Sequence, residues 1–241
     1  HSVVIASAAG CISPPLSAPV AAGPALSTTA TATDVLCNGG ATGSITVVQP
    51  VAGTPPYEYS LDNVTWQSSQ LFSGLPASGY TVYFRESNGC SGSYPVTVNE
   101  PAVLSATAAS VAVICNGQSN GIVTVSANGG IAPYEYSIDA GVTWQSSNLF
   151  NMPAGTYNIR VRDVNGCITP QTITVTEPAV LAASSVNTNA SCNGGNDGVI
   201  TVTATGGNTN YEYSIDNGAT WQTSNVFNVA PATYTVDVRD N

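Results

Sequence analysis

The chain repeats itself about three times at a spacing of roughly 77 residues, the length of a small domain rather than of one helix pair. Cys37, Cys115 and Cys192 each open a Cys-Asn-Gly turn. At matched distances behind them come Tyr-Glu-Tyr-Ser at Tyr57, Tyr134 and Tyr211 and Thr-Trp-Gln at Trp66, Trp144 and Trp221. Any site built from these residues occurs in triplicate, which suits a stalk, adhesin or filament and not an enzyme.

Each repeat reads as β. In the second, Ile122 to Ala127 is a β-branched run, and Tyr134 to Asp139 and Thr156 to Asp163 alternate between apolar and polar residues. Alternation places Tyr134, Tyr136 and Ile138 on a core face and Glu135, Ser137 and Asp139 toward water. Asn-Gly, Gly-Gly and Asn-Gly-Cys turns separate the runs, and Thr172 to Thr176 is a last strand before Glu177-Pro178. No segment holds apolar residues at the helical period free of Gly or Pro. About seven short strands per repeat predict a small immunoglobulin-like β-sandwich, so the chain is expected to be all-β, tandem sandwiches forming a rod.

Glu-Pro-Ala-Val-Leu at Glu100 to Leu104 and Glu177 to Leu181, with Gly23-Pro24-Ala25-Leu26 in the equivalent place, marks the boundaries. A proline there cannot donate to a ladder and holds the chain extended. The expected division is 1–24 as the closing strands of a preceding repeat, then 25–101, 102–178, and 179–241 lacking its last strand.

Composition sets the compartment and removes several partners. The chain has no lysine, four arginines, one histidine and fourteen carboxylates, for a formal charge of −10. No basic patch exists to neutralise phosphates, so nucleic acid is excluded as a partner. Charged residues make up 7%, and solubility rests on Ser, Thr, Asn and Gly, as in secreted β-rich proteins. No stretch is long and apolar enough to span a bilayer as a helix.

The six cysteines fall into two contexts. Cys37, Cys115 and Cys192 precede Asn-Gly, whereas Cys11, Cys90 and Cys167 follow Gly. Closely spaced C-x-x-C pairs are missing and no histidine completes a zinc site, so disulfides in an oxidising space are expected and no cofactor is. Pairing within repeats joins Cys37 to Cys90 and Cys115 to Cys167. Pairing across linkers joins Cys11 to Cys37, Cys90 to Cys115 and Cys167 to Cys192. The first is favoured, because a bridge that closes its own domain is the commoner arrangement.

The ordered set Cys-Asn-Gly-Gly, Gly-Ser-Ile-Thr-Val, Tyr-Glu-Tyr-Ser, Tyr-Thr-Val, Asn-Gly-Cys and Glu-Pro resembles the SprB-type repeats of very large surface adhesins of gliding and other Bacteroidetes bacteria. The resemblance covers nearly the whole chain. It implies an extracellular, non-enzymatic adhesive or structural role at the cell surface. The Asp139 to Ser147 segment, with relatives at Asp62 and Asp216, is more elaborate than the shorter turn of many such repeats. The motif is a folding signature and carries over no binding residues.

Three sets of residues are weighed for chemistry. Trp66, Trp144 and Trp221 could stack sugar rings, which makes an array of carbohydrate-binding modules the alternative function and surface glycans candidate partners; recurrence at one phase suits packing better. Asp62, Asp139 and Asp216 could offer oxygens to calcium, but turn capping is favoured since the EF-hand pattern is missing. Glu58, Glu135 and Glu212 read as a solvated strand face, because no second acid accompanies them at fixed spacing. His1 is the only imidazole, so no nucleophile has a base, and the Gly-rich turns have no lysine behind them. Val3 to Cys11 superficially resembles a lipoprotein signal but aligns with Ile159 to Cys167 as a strand. Asn63-Val-Thr65 and Asn189-Ala-Ser191 match the N-glycan acceptor pattern.

Aligning Cys11 with Cys167 puts His1 at the phase of Tyr157, while Asp240-Asn241 falls just before an expected Gly-Cys. Two expectations follow. Either the chain is a window of a longer array whose neighbouring repeats are its partners, or copies associate head to tail, each completing the next by strand addition.

Overall fold

The computed structural model describes residues 2–6, 8–21 and 23–240. Strands are the only regular elements among them. A small antiparallel hairpin comes first, β1 (Ser2–Val3) and β2 (Leu16–Ser17). The first full repeat contains β3 (Ala30–Thr33), β4 (Gly43–Val47), β5 (Tyr57–Ser60), β6 (Leu71–Leu75), β7 (Ser78–Glu86) and β8 (Ser91–Val98). They form two antiparallel sheets of three strands, ordered β3-β4-β6 and β5-β7-β8.

The second repeat reproduces this arrangement. Its strands are β9 (Ser105–Val111), β10 (Gly121–Asn128), β11 (Glu135–Ser137), β12 (Leu149–Met152), β13 (Gly155–Arg162) and β14 (Ile168–Val175), with sheets β9-β10-β12 and β11-β13-β14. The third has β15 (Ala182–Thr188), β16 (Gly198–Thr205), β17 (Glu212–Ser214), β18 (Val226–Val229) and β19 (Asp237–Arg239). There the sheets are β15-β16-β18 and the two-stranded β17-β19. The chain forms two units, His1–Pro101 and Ala102–Asn241, so the division falls inside Glu-Pro-Ala.

Six strands build each complete sandwich, one fewer than the turn spacing predicts. Between β4 and β5, Pro50, Pro55 and Pro56 withhold ladder donors, and the stretch contributes only the isolated bridge Ser27↔Val51. The cores follow the alternation. Val35, Ile45, Val47, Tyr59, Val82, Phe84 and Val98 close the first sandwich. Val113, Val123, Val125, Tyr136, Phe150, Met152, Ile159, Val161 and Val175 close the second. Only Val202, Tyr213 and Phe227 are buried in the third cluster.

The predicted tyrosine face is present: Tyr136 is buried and Tyr134 and Ile138 pack against it. Ser137 departs from the expectation. It is buried, as are Ser60 and Ser214, because its hydroxyl donates to Asp139 Oδ1 at 2.6 Å and accepts from Gly141 N at 2.8 Å. A hydroxyl satisfied on both sides is buried at little cost.

Within the second unit, the linkers lie on Gly-Gly turns. Gly130 N donates to Ala102 O at 2.9 Å, and Gly207 N to Ala179 O at 2.8 Å. Gly129 has φ 74°, and a Cβ there would sit 2.0 Å from Val103 O, so only glycine lets the linker pass. Asn208 Nδ2 donates to Ile114 O at 3.0 Å, joining the third repeat to the second.

Candidate functional site: the aspartate turn, the tryptophan clasp and the cysteines

The Asp-x-Gly-x-Thr-Trp-Gln segment is a self-closing turn. Asp139 Oδ1 accepts from Val142 N at 3.0 Å and Thr143 N at 2.9 Å, and Oδ2 accepts from Thr143 Oγ1 at 2.6 Å. Asp62 gathers Ser60 Oγ, Val64 N, Thr65 N and Thr65 Oγ1 in the same way. Asp216 takes Ser214 Oγ, Thr220 N and Thr220 Oγ1. These donors favour the ionised form. The Thr65 hydroxyl leads at Asp62 and the Ser137 hydroxyl at Asp139, holding both carboxyls well below the usual range. At Asp216 the Thr220 hydroxyl leads, and the value falls to about 2. The carboxylate oxygens are engaged in capping the turn, which is the physical content of that reading.

The glutamine after each tryptophan ties down the next bend. Gln145 Nε2 donates to Ser147 O at 2.8 Å and Leu149 O at 3.3 Å, and Gln222 Nε2 to Ser224 O and Val226 O at 2.8 and 3.2 Å. Each tryptophan is half-buried and carries a guanidinium on its ring: Arg85 over Trp66 at 4.1 Å, Arg162 over Trp144 at 4.3 Å and Arg239 over Trp221 at 4.4 Å. The indole N–H of Trp144 donates to Gly141 O and that of Trp221 to Gly218 O, both at 3.0 Å.

Register fixes the third member. Glu58 lies opposite Arg85, Glu135 opposite Arg162 and Glu212 opposite Arg239. The Nε atom of each arginine donates to the facing glutamate at 2.7 Å. The glutamates are therefore ion-paired members of a glutamate–arginine–tryptophan clasp and more than a solvated face. The arginines are the functional residues that the pattern reading missed. Their signal was available, since three of the four recur at one phase.

A second recurring carboxylate closes the other end of each repeat. Asp163, buried, accepts from Ile131 N at 2.9 Å, Asn165 N at 3.0 Å and Cys167 N at 2.9 Å. Glu86 accepts from Thr54 N, and Asp240 from Asn208 N at 2.5 Å, in the corresponding places. The Glu86 carboxylate also accepts from the Cys90 thiol and pushes its pKa up.

The cysteines correct both predicted pairing schemes. Cys37 and Cys167 are disulfide-bonded, whereas Cys11, Cys90, Cys115 and Cys192 are free and exposed. Cys37–Cys90 and Cys115–Cys167 do not form, nor do the linker-spanning pairs. The reason within a repeat is distance. The turn opened by Cys37 is held at the far end of β8, where Gly39 N donates to Glu100 at 2.6 Å; Cys90 precedes the near end of that strand. Gly117 N and Glu177 repeat the contact at 2.8 Å beyond β14. An eight-residue strand spans about 26 Å, while a disulfide needs Cα atoms within about 7 Å.

Among the described residues no group of three or more His, Cys, Asp or Glu is placed to hold a metal ion. The model of the SprB repeat family matches the chain three times, over residues 29–65, 107–143 and 184–220. Each match runs from the first strand of a repeat through the aspartate turn and stops one residue before the tryptophan. No curated protein matches the chain. Three strand-built repeats in one order, each matched over its first half by the SprB repeat model, make this an all-β chain of tandem repeats that resemble the SprB repeat.

Proposed function

We propose that the chain is a non-catalytic segment of an extracellular surface adhesin or filament, in which each repeat acts as a spacer and adhesive module. SprB repeats point to the repeat region of a surface protein. The observation that carries the reading is the triplicate clasp: the residues with chemical potential, Asp139, Glu135, Arg162 and Trp144, bond to one another and lock a turn. The same residues are committed in the other two repeats. Protease shaving and antibody labelling of intact producing cells test it. Loss of the repeats without lysis is the expected result, and protection until lysis overturns it.

The carbohydrate-binding alternative requires an accessible indole face. One face of each ring is taken by arginine, so stacking would have to use the other. Tryptophan fluorescence titrated with surface glycans separates the readings: the spacer role predicts no saturable quench.

A further inference from the structure

Among the strands of each repeat, charge is confined to one of the two sheets. All four arginines and the clasp glutamates stand on β5, β7, β11, β13, β17 and β19. The partner sheets, β3-β4-β6, β9-β10-β12 and β15-β16-β18, carry no Asp, Glu, Lys, Arg or His in any strand. The outward face of an antiparallel sheet is where a soluble domain ordinarily carries charged side chains. Here that face holds hydroxyls and exposed aliphatic side chains instead.

Register puts the same row across each of these faces. Ile45, Val47, Val123 and Val125 are buried, so alternation turns Thr46 and Thr124 outward, as it does Thr201 beside buried Val202. Each threonine is flanked on one side by an exposed aliphatic residue of the neighbouring strand, Leu71, Leu149 or Val226. On the other side stand Thr31, Ala109 and Val186. Val111, also exposed, lies opposite Ile122 in the next outward row of the second repeat. In the first two repeats the row therefore runs from a large residue through threonine to a smaller one.

We propose that this uncharged sheet face is a self-association surface and that its partner is the same face on a second copy of the chain. Charge, shape and area select that partner. At a net charge of −10 two chains repel, and they approach at least cost where neither side has a charge to desolvate. The face is also self-complementary. A two-fold axis along β10 sets Leu149 of each copy over Ala109 of the other, large against small, and one along β4 sets Leu71 over Thr31. Three strands about 4.8 Å apart and about five residues long bury roughly 500 Å² counting both partners. A stable complex needs roughly 1,200 Å². One repeat therefore gives a weak contact, and recurrence of the face on three repeats makes the association multivalent.

Pairing of this kind is measurable on purified chain, whether or not the protein reaches a cell surface. The free thiols of Cys11, Cys90, Cys115 and Cys192 are capped with N-ethylmaleimide so that no disulfide joins copies, and the full chain is followed by sedimentation velocity. Reversible, concentration-dependent association is expected. It tightens as salt rises from about 50 to 500 mM, because salt screens the repulsion and an uncharged contact loses nothing to it. Thr46→Lys with Thr124→Lys weakens association about tenfold or more by burying unpaired ammonium groups. Thr97→Lys with Thr172→Lys makes the same change in charge at exposed positions of the other sheet and leaves association unaltered. Thermal melts of both variants matching the parent chain establish that they fold. Three results overturn the proposal: a monomer up to millimolar chain, association that salt weakens, or a loss no greater in the first variant than in the second. A chain that stays monomeric and instead binds insoluble cellulose through Thr46 and Thr124 overturns it in favour of a neutral polysaccharide.

Discussion

At the residue scale the clasp and the aspartate turn make separable predictions. Arg162 covers Trp144 while its Nε holds Glu135. A cation–π contact at a half-exposed site is worth about 0.5–1 kcal/mol. A double-mutant cycle of Arg162→Met and Trp144→Leu is expected to return a coupling of that size in chemical denaturation, and additivity would show that the two rings of contact are independent. The aspartates give the acid limit. Asp216 is lowered from 3.8 to about 2, and Asp62 and Asp139 lie lower still. The unfolded carboxyl takes up protons first as pH falls, so the stabilisation is complete above about pH 4 and drains away as pH drops through the folded values. Acid titration of circular dichroism should show that loss, with a shallower slope between pH about 4 and 2 in Asp216→Asn.

At the scale of elements, the strands were readable and their partners were not. Alternation located β10, β11, β13 and β14 to within a few residues, because apolar spacing is written along one segment. It sent Ser137 to the wrong face, since β11 is only three residues long and the turn behind it folds the hydroxyl onto Asp139. The cysteines failed for a related reason: linear spacing does not say at which end of β8 a turn is held, and Glu100 holds that of Cys37 at the far end. The tryptophan's arginine cover depends on the β11–β13 register, which no single segment encodes. The Gly-Gly turn, by contrast, was legible as a turn, and the structure gives it a second duty. Gly129→Ala adds a Cβ 2.0 Å from Val103 O at φ 74°. The left-handed strain and the displaced linker together are expected to cost about 2–4 kcal/mol. An equivalent substitution at Gly117, also at positive φ but with nothing within 4 Å, is the control, and equal losses at both would remove the linker from the explanation.

For the whole molecule, three copies of one sequence pattern do not give three equal domains. The first repeat buries seven residues in its hydrophobic cluster and the second nine, while the cluster of the third has only Val202, Tyr213 and Phe227 buried. The difference is not in propensity, since β16 closely matches β10 in sequence and pairing. It lies in what the two sheets bury between them, the third repeat having the two-stranded β17-β19 sheet where the others have three strands. Val98 and Val175 are almost fully buried, and they pair with Ser78 and Gly155. Burying a valine is worth about 1.5–3 kcal/mol, a large share of the margin of a domain this small. The third repeat is therefore expected to open on its own before the others. Native-state hydrogen exchange should find the amides of β17 and β19 exchanging through low-energy openings, while those of β5, β7, β11 and β13 exchange through larger ones. The Asn208–Ile114 bond ties the third repeat to the second, so Asn208→Ala should widen that gap without changing exchange in β5 and β7. Uniform protection across all three sheets would mean that the two strands β17 and β19 suffice to hold the third repeat as firmly as three strands hold the others.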